Sequence, residues 1–191
     1  MLYLFMALLA AVIVAADQYT KYLTVTHISS TICSRVNLEE CLAHIHRMTE
    51  AYGLSEEQLA DLPASLPGIP GLFDLRHVHN TGAAWSSFEG MIWLFALIFG
   101  IFAAFILWEF PKKRMGFTTF ERFCMISVFG GGLGNMIDRL RLGFVVDMIN
   151  LEFMNFPVFN VADCFITCGC VLLLAHLFFF NREFWKDDKK K

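Results

Sequence analysis

Four long stretches of the chain are nearly free of polar side chains. The first runs from Leu2 to Ala16 and extends through Asp17 to Leu23. The second is Met91 to Phe110, the third roughly Phe120 to Ile137, and the fourth Val161 to Phe180. A helix rises 1.5 Å per residue, so about 20 residues cross a hydrocarbon layer of about 30 Å. The second and fourth stretches meet that length almost without charge. Glu121, Arg122 and the glycines Gly130, Gly131 and Gly132 dilute the third. The pattern predicts spans over about 2–23, 91–110, 120–138 and 160–180.

The 24–76 stretch is patterned differently. Asn37 followed by Glu40, and Ser55 followed by Gln58, are capping-box spacings. Leu38, Leu42, Ile45 and Tyr52 keep helical spacing, so helices are predicted near 38–52 and 56–61. Pro63, Pro67 and Pro70, with Gly68 and Gly71, predict a turn-rich link. Leu72 to His79 alternates loosely, as a short strand does. Acids outnumber bases across this insertion, which reads as a solvated element on one side of the bilayer.

Composition agrees with the pattern. Of 191 residues, 57% are apolar and only 17% charged, against about 45–50% and about 25% in soluble chains. Disorder, a coiled coil and a collagen-like fibre are thereby excluded. A net charge of −3 gives no footprint for nucleic acid. Six cysteines are too few for a disulfide scaffold. The expected architecture is a single all-α membrane domain over 1–191, with four transmembrane helices.

Lys and Arg set the expected orientation. Lys112, Lys113 and Arg114 follow the second span, and Arg182, Lys186 and Lys189 to Lys191 follow the fourth. Both groups, and hence both termini, are expected in the cytoplasm, with 24–90 and 138–160 on the far side. No Lys or Arg precedes the first apolar stretch, which favours a retained helix over a cleaved leader.

Ionisable groups are costly in hydrocarbon and usually mark function there. In this chain they gather at the outer ends of the spans. Asp17 lies about 23 Å along the first helix, with Lys21 one turn on. Asn135 and Asp138 close the third span, Asp147 follows, and Asn160 and Asp163 open the fourth. Carboxylates crowded at one depth suit either an ion path or a pair of catalytic acids. Two close carboxyls share a proton, and such a pair can deprotonate water while polarising a carbonyl. A proton-coupled carrier is the alternative, although no internal repeat is visible.

The strings themselves resemble a known family. Asp17-Gln18-Tyr19-Thr20-Lys21 is similar to the DQxxK box of lipoprotein signal peptidases (signal peptidase II). Asn80-Thr81-Gly82-Ala83-Ala84-Trp85-Ser86 resembles their NxGAAFS box. Gly134-Asn135-Met136-Ile137-Asp138-Arg139, then Gly143-Phe144-Val145-Val146-Asp147, resembles GNxxDRxxxGxVVD. Phe159-Asn160-Val161-Ala162-Asp163 resembles FNxAD. All four occur in family order. Trp85 and Met148 stand where Phe is usual, and the insertion between Lys21 and Asn80 is longer than expected.

The resemblance implies a membrane aspartic peptidase with four helices and a small extracytoplasmic β-rich element. It implies that Asp147 and Asp163 are the catalytic pair. Asn80, Gly82, Asn135, Asp138, Arg139, Asn160 and Ala162 would shape the site, with Asp17 and Lys21 as supporting residues. The implied substrate is a prolipoprotein whose Cys already carries diacylglycerol, cut just before that Cys. The implied setting is the bacterial inner membrane, with lipid as a partner, a monomeric enzyme, and neither cofactor nor metal.

The residues also carry expectations of their own. Asp17 and Lys21 suit an interfacial ion pair anchoring the first helix. Asp138 suits a structural role, and Arg139 a bidentate grip on a carboxylate. Gly82 suits a tight turn whose edge receives an extended peptide. Phe153, Phe156 and Phe159 suit a lipid-facing entrance. Cys164, Cys168 and Cys170 read as buried apolar residues, and Cys33 with Cys41 as a pair if the compartment oxidises. His44 with His46, and His77 with His79, read as ordinary histidines and not as zinc ligands.

Overall fold

The computed structural model describes residues 1–30, 38–82, 90–111 and 115–181. The described elements, in order, are α1 (Leu2–His27), α2 (Leu38–Tyr52), α3 (Glu56–Ala60), β1 (Ser65–Ile69) and β2 (Phe73–Asn80). Then come α4 (Ile92–Glu109), α5 (Thr119–Leu142), β3 (Val145–Leu151) and α6 (Val161–Phe179).

Among the described residues, α1, α4 and α6 are long and apolar enough to cross a membrane. Their apolar windows are only 17%, 11% and 17% buried. The outward side chains include Leu4, Leu8 and Val12 on α1, Leu97 and Ile101 on α4, and Val171, Leu174 and Phe178 on α6. Apolar surface of that extent is stable only against lipid or protein.

The fourth helix, α5, is different. It packs against α1, α4 and α6 and buries Arg122, Met125, Asn135 and Asp138. Its polar residues keep it from qualifying as a span by composition. Its glycines, which thin out its hydrophobicity, pack the bundle; Gly130 and Gly134 have the i, i+4 spacing of close helix approach. A Cβ on Gly130 would sit 3.1 Å from Ile13, and one on Gly131 would sit 2.5 Å from the Ala162 carbonyl oxygen. A Cβ on Gly134 would collide with the Asp17 carboxylate. Small residues here let three helices approach at backbone distance. The Thr118–Glu121 capping box starts α5, and Gly143 at φ 83° ends it. The helix therefore runs one turn beyond the expected end at 138.

The N-terminal end of α5 is tied by a buried polar knot. Arg122 Nη2 meets Glu109 Oε1 at 2.8 Å, and both side chains are buried. Arg122 also donates to the Phe110 and Phe117 carbonyls, and the Tyr3 hydroxyl donates to Phe110 O. His176 Nδ1 lies 2.9 Å from Glu121 Oε1, while Asn181 Nδ2 donates to Glu121 Oε2.

At the opposite end, β1, β2 and β3 form an antiparallel sheet in that order. Helix α2 packs against α1 and α5 beside it. Val25, Met48, Leu142, Phe144, Val146 and Met148 form the core beneath. Strand β1 replaces the expected turn-rich link. Pro67 is tolerated there because β1 is an edge strand. The absent Cβ of Gly68 leaves room for the Phe73 ring and carbonyl, 2.5 Å from where it would stand. Helices α2 and α3 fall where the pattern placed them, and the Ser55–Gln58 capping box is present. On α2, however, Leu42 is exposed and Met48 is the inward side chain.

Cys41 is disulfide-bonded. Its expected partner Cys33 lies outside the described residues, as do Asn37, the basic residues 112–114, the tail from 182, and Ala83 to Ser86. The side chains of Leu38, Glu40 and His44 lie outside them too.

Candidate active site

The chain reversal at Gly143 carries α5 directly into β3 and places Asp147 two residues into that strand. Strand pairing sets Asp147 opposite Val78 and brings Asn80 opposite Val145. After the loop from Leu151, Phe159 pairs back onto Ile149 through backbone bonds. Asn160 then caps α6. Its Oδ1 accepts the Asp163 N–H at 2.9 Å, and Asp163 Oδ2 accepts the Asn160 N–H at 3.2 Å.

That cap joins the two acids. Asn160 Nδ2 donates to Asp147 Oδ1 at 2.7 Å, so one asparagine holds both carboxyls. Asn80 Nδ2 donates to Asp147 Oδ2 at 2.9 Å, and Asn135 Nδ2 to Asp163 Oδ1 at 2.8 Å. Asp147 is 1% exposed, whereas Asp163 is half-buried. Burial pushes the Asp147 carboxyl up to about 7, and the negative charge of Asp163 pushes the same way. The amide donors of Asn80 and Asn160 oppose this without cancelling it. The arrangement pairs a carboxyl that keeps its proton with a second one open to solvent, as general acid–base chemistry on water requires.

Behind the pair lies a second charged cluster. Lys21 Nζ meets Asp17 Oδ2 at 2.8 Å, Asp138 Oδ2 at 2.9 Å and Asn135 Oδ1 at 2.9 Å. The three charged side chains are at most 1% exposed. The Ala162 N–H donates to Asp17 Oδ1, and the Val146 N–H to Asp138 Oδ2. Helices α1, α5 and α6 and strand β3 thus converge on three side chains.

The expected Asp17–Lys21 ion pair is formed, with both side chains buried in the bundle. Among the described residues, Arg139 forms no pair with a carboxylate, contrary to expectation. Its Nη2 donates to Gly82 O at 2.8 Å and its Nη1 to Asn135 O, with the guanidinium 4.2 Å over the Phe95 ring. Gly82 is held by its own N–H to Asn80 Oδ1. Cys168 is exposed, and Cys164 and Cys170 are only partly buried. Phe153 and Phe156 are exposed, and Phe159 is half-buried.

Gln18, the second residue of the Asp17–Lys21 box, also supports this cluster. Its Nε2 donates to Asp138 Oδ1 at 2.8 Å and to Gly134 O at 3.2 Å. Asp17 and Gln18 stand four and three residues before Lys21, so helical spacing brings both to its face. His77 and His79 face each other at 3.1 Å, and His77 Nδ1 lies 3.0 Å from Ile28 O. Burial holds His77 down at about 4, so its neutral ring ties β2 to the end of α1. Among the described residues, no three His, Cys, Asp or Glu side chains could hold a metal ion.

An apolar helical bundle with a buried, carboxylate-rich site at one end is the architecture of an integral-membrane enzyme. The signal peptidase (SPase) II family profile matches residues 9–179. The lipoprotein signal peptidase of Enterococcus faecalis is 35% identical over 173 residues, 89% of this chain and 85% of that protein. Its counterpart in Lactococcus lactis subsp. lactis is 45% identical over 104 residues, covering 54% of this chain and 68% of its own. A solved bacterial membrane enzyme, determined by the in meso method at 2.3 Å resolution, superimposes with a TM-score of 0.66. It is 26% identical, and the match covers 98% of this chain and 94% of that one. The chain belongs to the signal peptidase II family and is a protease. The carrier alternative finds no support in these likenesses.

Proposed function

We propose that the whole chain is one peptidase domain in which Asp147 and Asp163 hydrolyse a peptide bond with a single activated water. The observation that carries this reading is Asn160, which hydrogen-bonds both carboxyls at once. Asp163, the more open acid, takes a proton from water. The water oxygen attacks the scissile carbonyl carbon. Asp147, which holds its proton near neutrality, donates a hydrogen bond to the carbonyl oxygen as charge develops there. Collapse of the tetrahedral intermediate breaks the C–N bond, and the proton gained by Asp163 passes to the leaving amine. Asn80, Asn135 and Asn160 orient the pair. Gly82 and Arg139 border it.

The substrate in this reading is a prolipoprotein with a diacylglyceryl-modified Cys, and the signal peptide is released just before that Cys. The enzyme acts as a monomer in the bacterial inner membrane. Helices α1, α4, α5 and α6 are the four spans, both termini are cytoplasmic, and the sheet with α2 and α3 is extracytoplasmic. Acyl chains keep the precursor in the bilayer at about 0.8 kcal/mol per buried CH₂. Diffusion in the membrane then delivers the scissile bond to a site at the rim of the bundle.

The test is cleavage of a diacylglyceryl-modified precursor by purified enzyme in detergent, with an unlipidated precursor as control and a parallel arm in EDTA. D147N and D163N should insert, fold and fail to cleave, and the wild type should work in chelator. Near wild-type processing by either variant would remove that carboxyl from the mechanism.

A further inference from the structure

Hydrogen-bond direction around the acids is fixed at three places. A backbone N–H and an ammonium only donate, whereas an amide side chain does both and must be oriented by something. The Gly82 N–H donates to Asn80 Oδ1, which turns Asn80 Nδ2 toward Asp147. The Asp163 N–H donates to Asn160 Oδ1, which leaves Asn160 Nδ2 for Asp147. The third amide, Asn135, is oriented by a side chain. Lys21 Nζ donates to its Oδ1 at 2.9 Å, and its Nδ2 therefore faces Asp163 Oδ1 at 2.8 Å.

We infer that Lys21 is a positioning residue for the reaction, holding the Asn135 amide so that its NH₂ group, and not its carbonyl, faces Asp163. This rests on the reading of Asp163 as a catalytic acid. Lys21 has three protons and three close acceptors: Asp17 from α1, and Asp138 and Asn135 from α5. With all three engaged, it acts on Asp163 through Asn135. The other cation nearby, Arg139, is committed to Gly82 O and Asn135 O. Asn160 Nδ2 also lies 3.0 Å from Asn135 Oδ1. Its two protons, however, have Asp147 Oδ1 at 2.7 Å and Val146 O at 3.4 Å as other acceptors. Once Lys21 is gone, Asn160 can satisfy itself and release Asn135. The amide then loses the anchor on its oxygen, and its Nδ2 donor is no longer held on Asp163 Oδ1.

A bare Lys21→Met would strand Asp17 and Asp138 without a counter-charge, so the test uses D17N/K21M against D17N. The pair Asp17 and Lys21 sums to zero charge before and after the double change. Substrate is the diacylglyceryl-modified precursor in detergent, and kcat, KM and the pH profile are read. Relative to D17N, kcat should fall at least about ten-fold, the scale of one hydrogen bond to a charged group. KM should stay within about two-fold, and the acid limb of the kcat/KM profile should move to higher pH. D17N/K21Q restores a donor and should recover part of kcat. Adding N135A to D17N/K21M should cost little more, although it costs D17N the full loss. D17N/K21M and D17N/K21Q carry the same charge, so a purely charge-balancing Lys21 would give these two the same kcat and the same profile, or give multiplicative losses with N135A; either result overturns the inference. A second variant leaves Lys21 untouched. N135D keeps an acceptor for Lys21 but offers Asp163 no donor, and it should lose kcat with the same profile shift. Wild-type kinetics from N135D would also overturn the inference. An active D163N would instead overturn the dyad itself.

Discussion

Asp147→Asn should remove a pH-dependent loss of stability as well as abolish cleavage. The ordinary carboxyl value is 3.8, and the folded protein holds Asp147 at about 7. Below 3.8 the group is protonated in folded and unfolded chains alike, and it contributes nothing. Between the two values the unfolded chain ionises while the folded chain keeps the proton, so stability falls as pH rises. Above about 7 the loss is complete. At about 1.4 kcal/mol per decade, this costs the wild type about 2–3 kcal/mol between pH 5 and pH 8. The variant does not titrate and escapes the loss. Its new NH₂ group meets Asn80 Nδ2 or Asn160 Nδ2, a donor clash of about 1–3 kcal/mol that is the same at every pH. D147N should therefore be less stable than wild type at pH 5 and equal or better at pH 8. Reversible unfolding in mixed detergent–SDS micelles at the two pH values reads the difference. Parallel curves, with the gap constant to within about 0.5 kcal/mol, would show that the Asp147 carboxyl titrates normally.

Two glycines offer a matched pair. Gly134→Ala drives a methyl into the Asp17 carboxylate and should cost about 1–3 kcal/mol from overpacking alone, seen as a lowered unfolding temperature and slower cleavage. Gly100→Ala on α4 meets nothing within 4 Å and should be neutral or stabilising by up to about 1 kcal/mol. At the other end, Glu109→Gln leaves Arg122 buried without its carboxylate and should cost about 3–5 kcal/mol. The pH profile of the surviving activity should match wild type, because the knot and the dyad sit at opposite ends of α5.

Much of this was legible in the chain. The apolar periods gave α1, α4 and α6 to within a few residues, because a bilayer-length helix needs nothing but composition. The polar groups of the site were legible too, since Asp17, Asn135, Asp138, Asp147, Asn160 and Asp163 break apolar surroundings at one end of the bundle. Their partners were not. Nothing local says that Lys21 reaches Asp138, or that Arg139 prefers two carbonyls to a carboxylate; both depend on how α1 and α5 pack. Strand β1 was hidden by Pro67 and Gly68, whose edge position and fit against Phe73 appear only once β2 is in place. The Glu109–Arg122 pair was missed for the opposite reason. Charges near the end of a span look like its boundary, yet these two fold inward and satisfy each other.

Asn160 performs two jobs with one side chain: it starts α6 and it braces Asp147 against Asp163. Until the final helix winds, Asp147 and Asp163 have no common frame. On the proposed mechanism, a chain caught part-way through folding cannot yet cut its neighbours, and the protease becomes armed only in completing its own assembly.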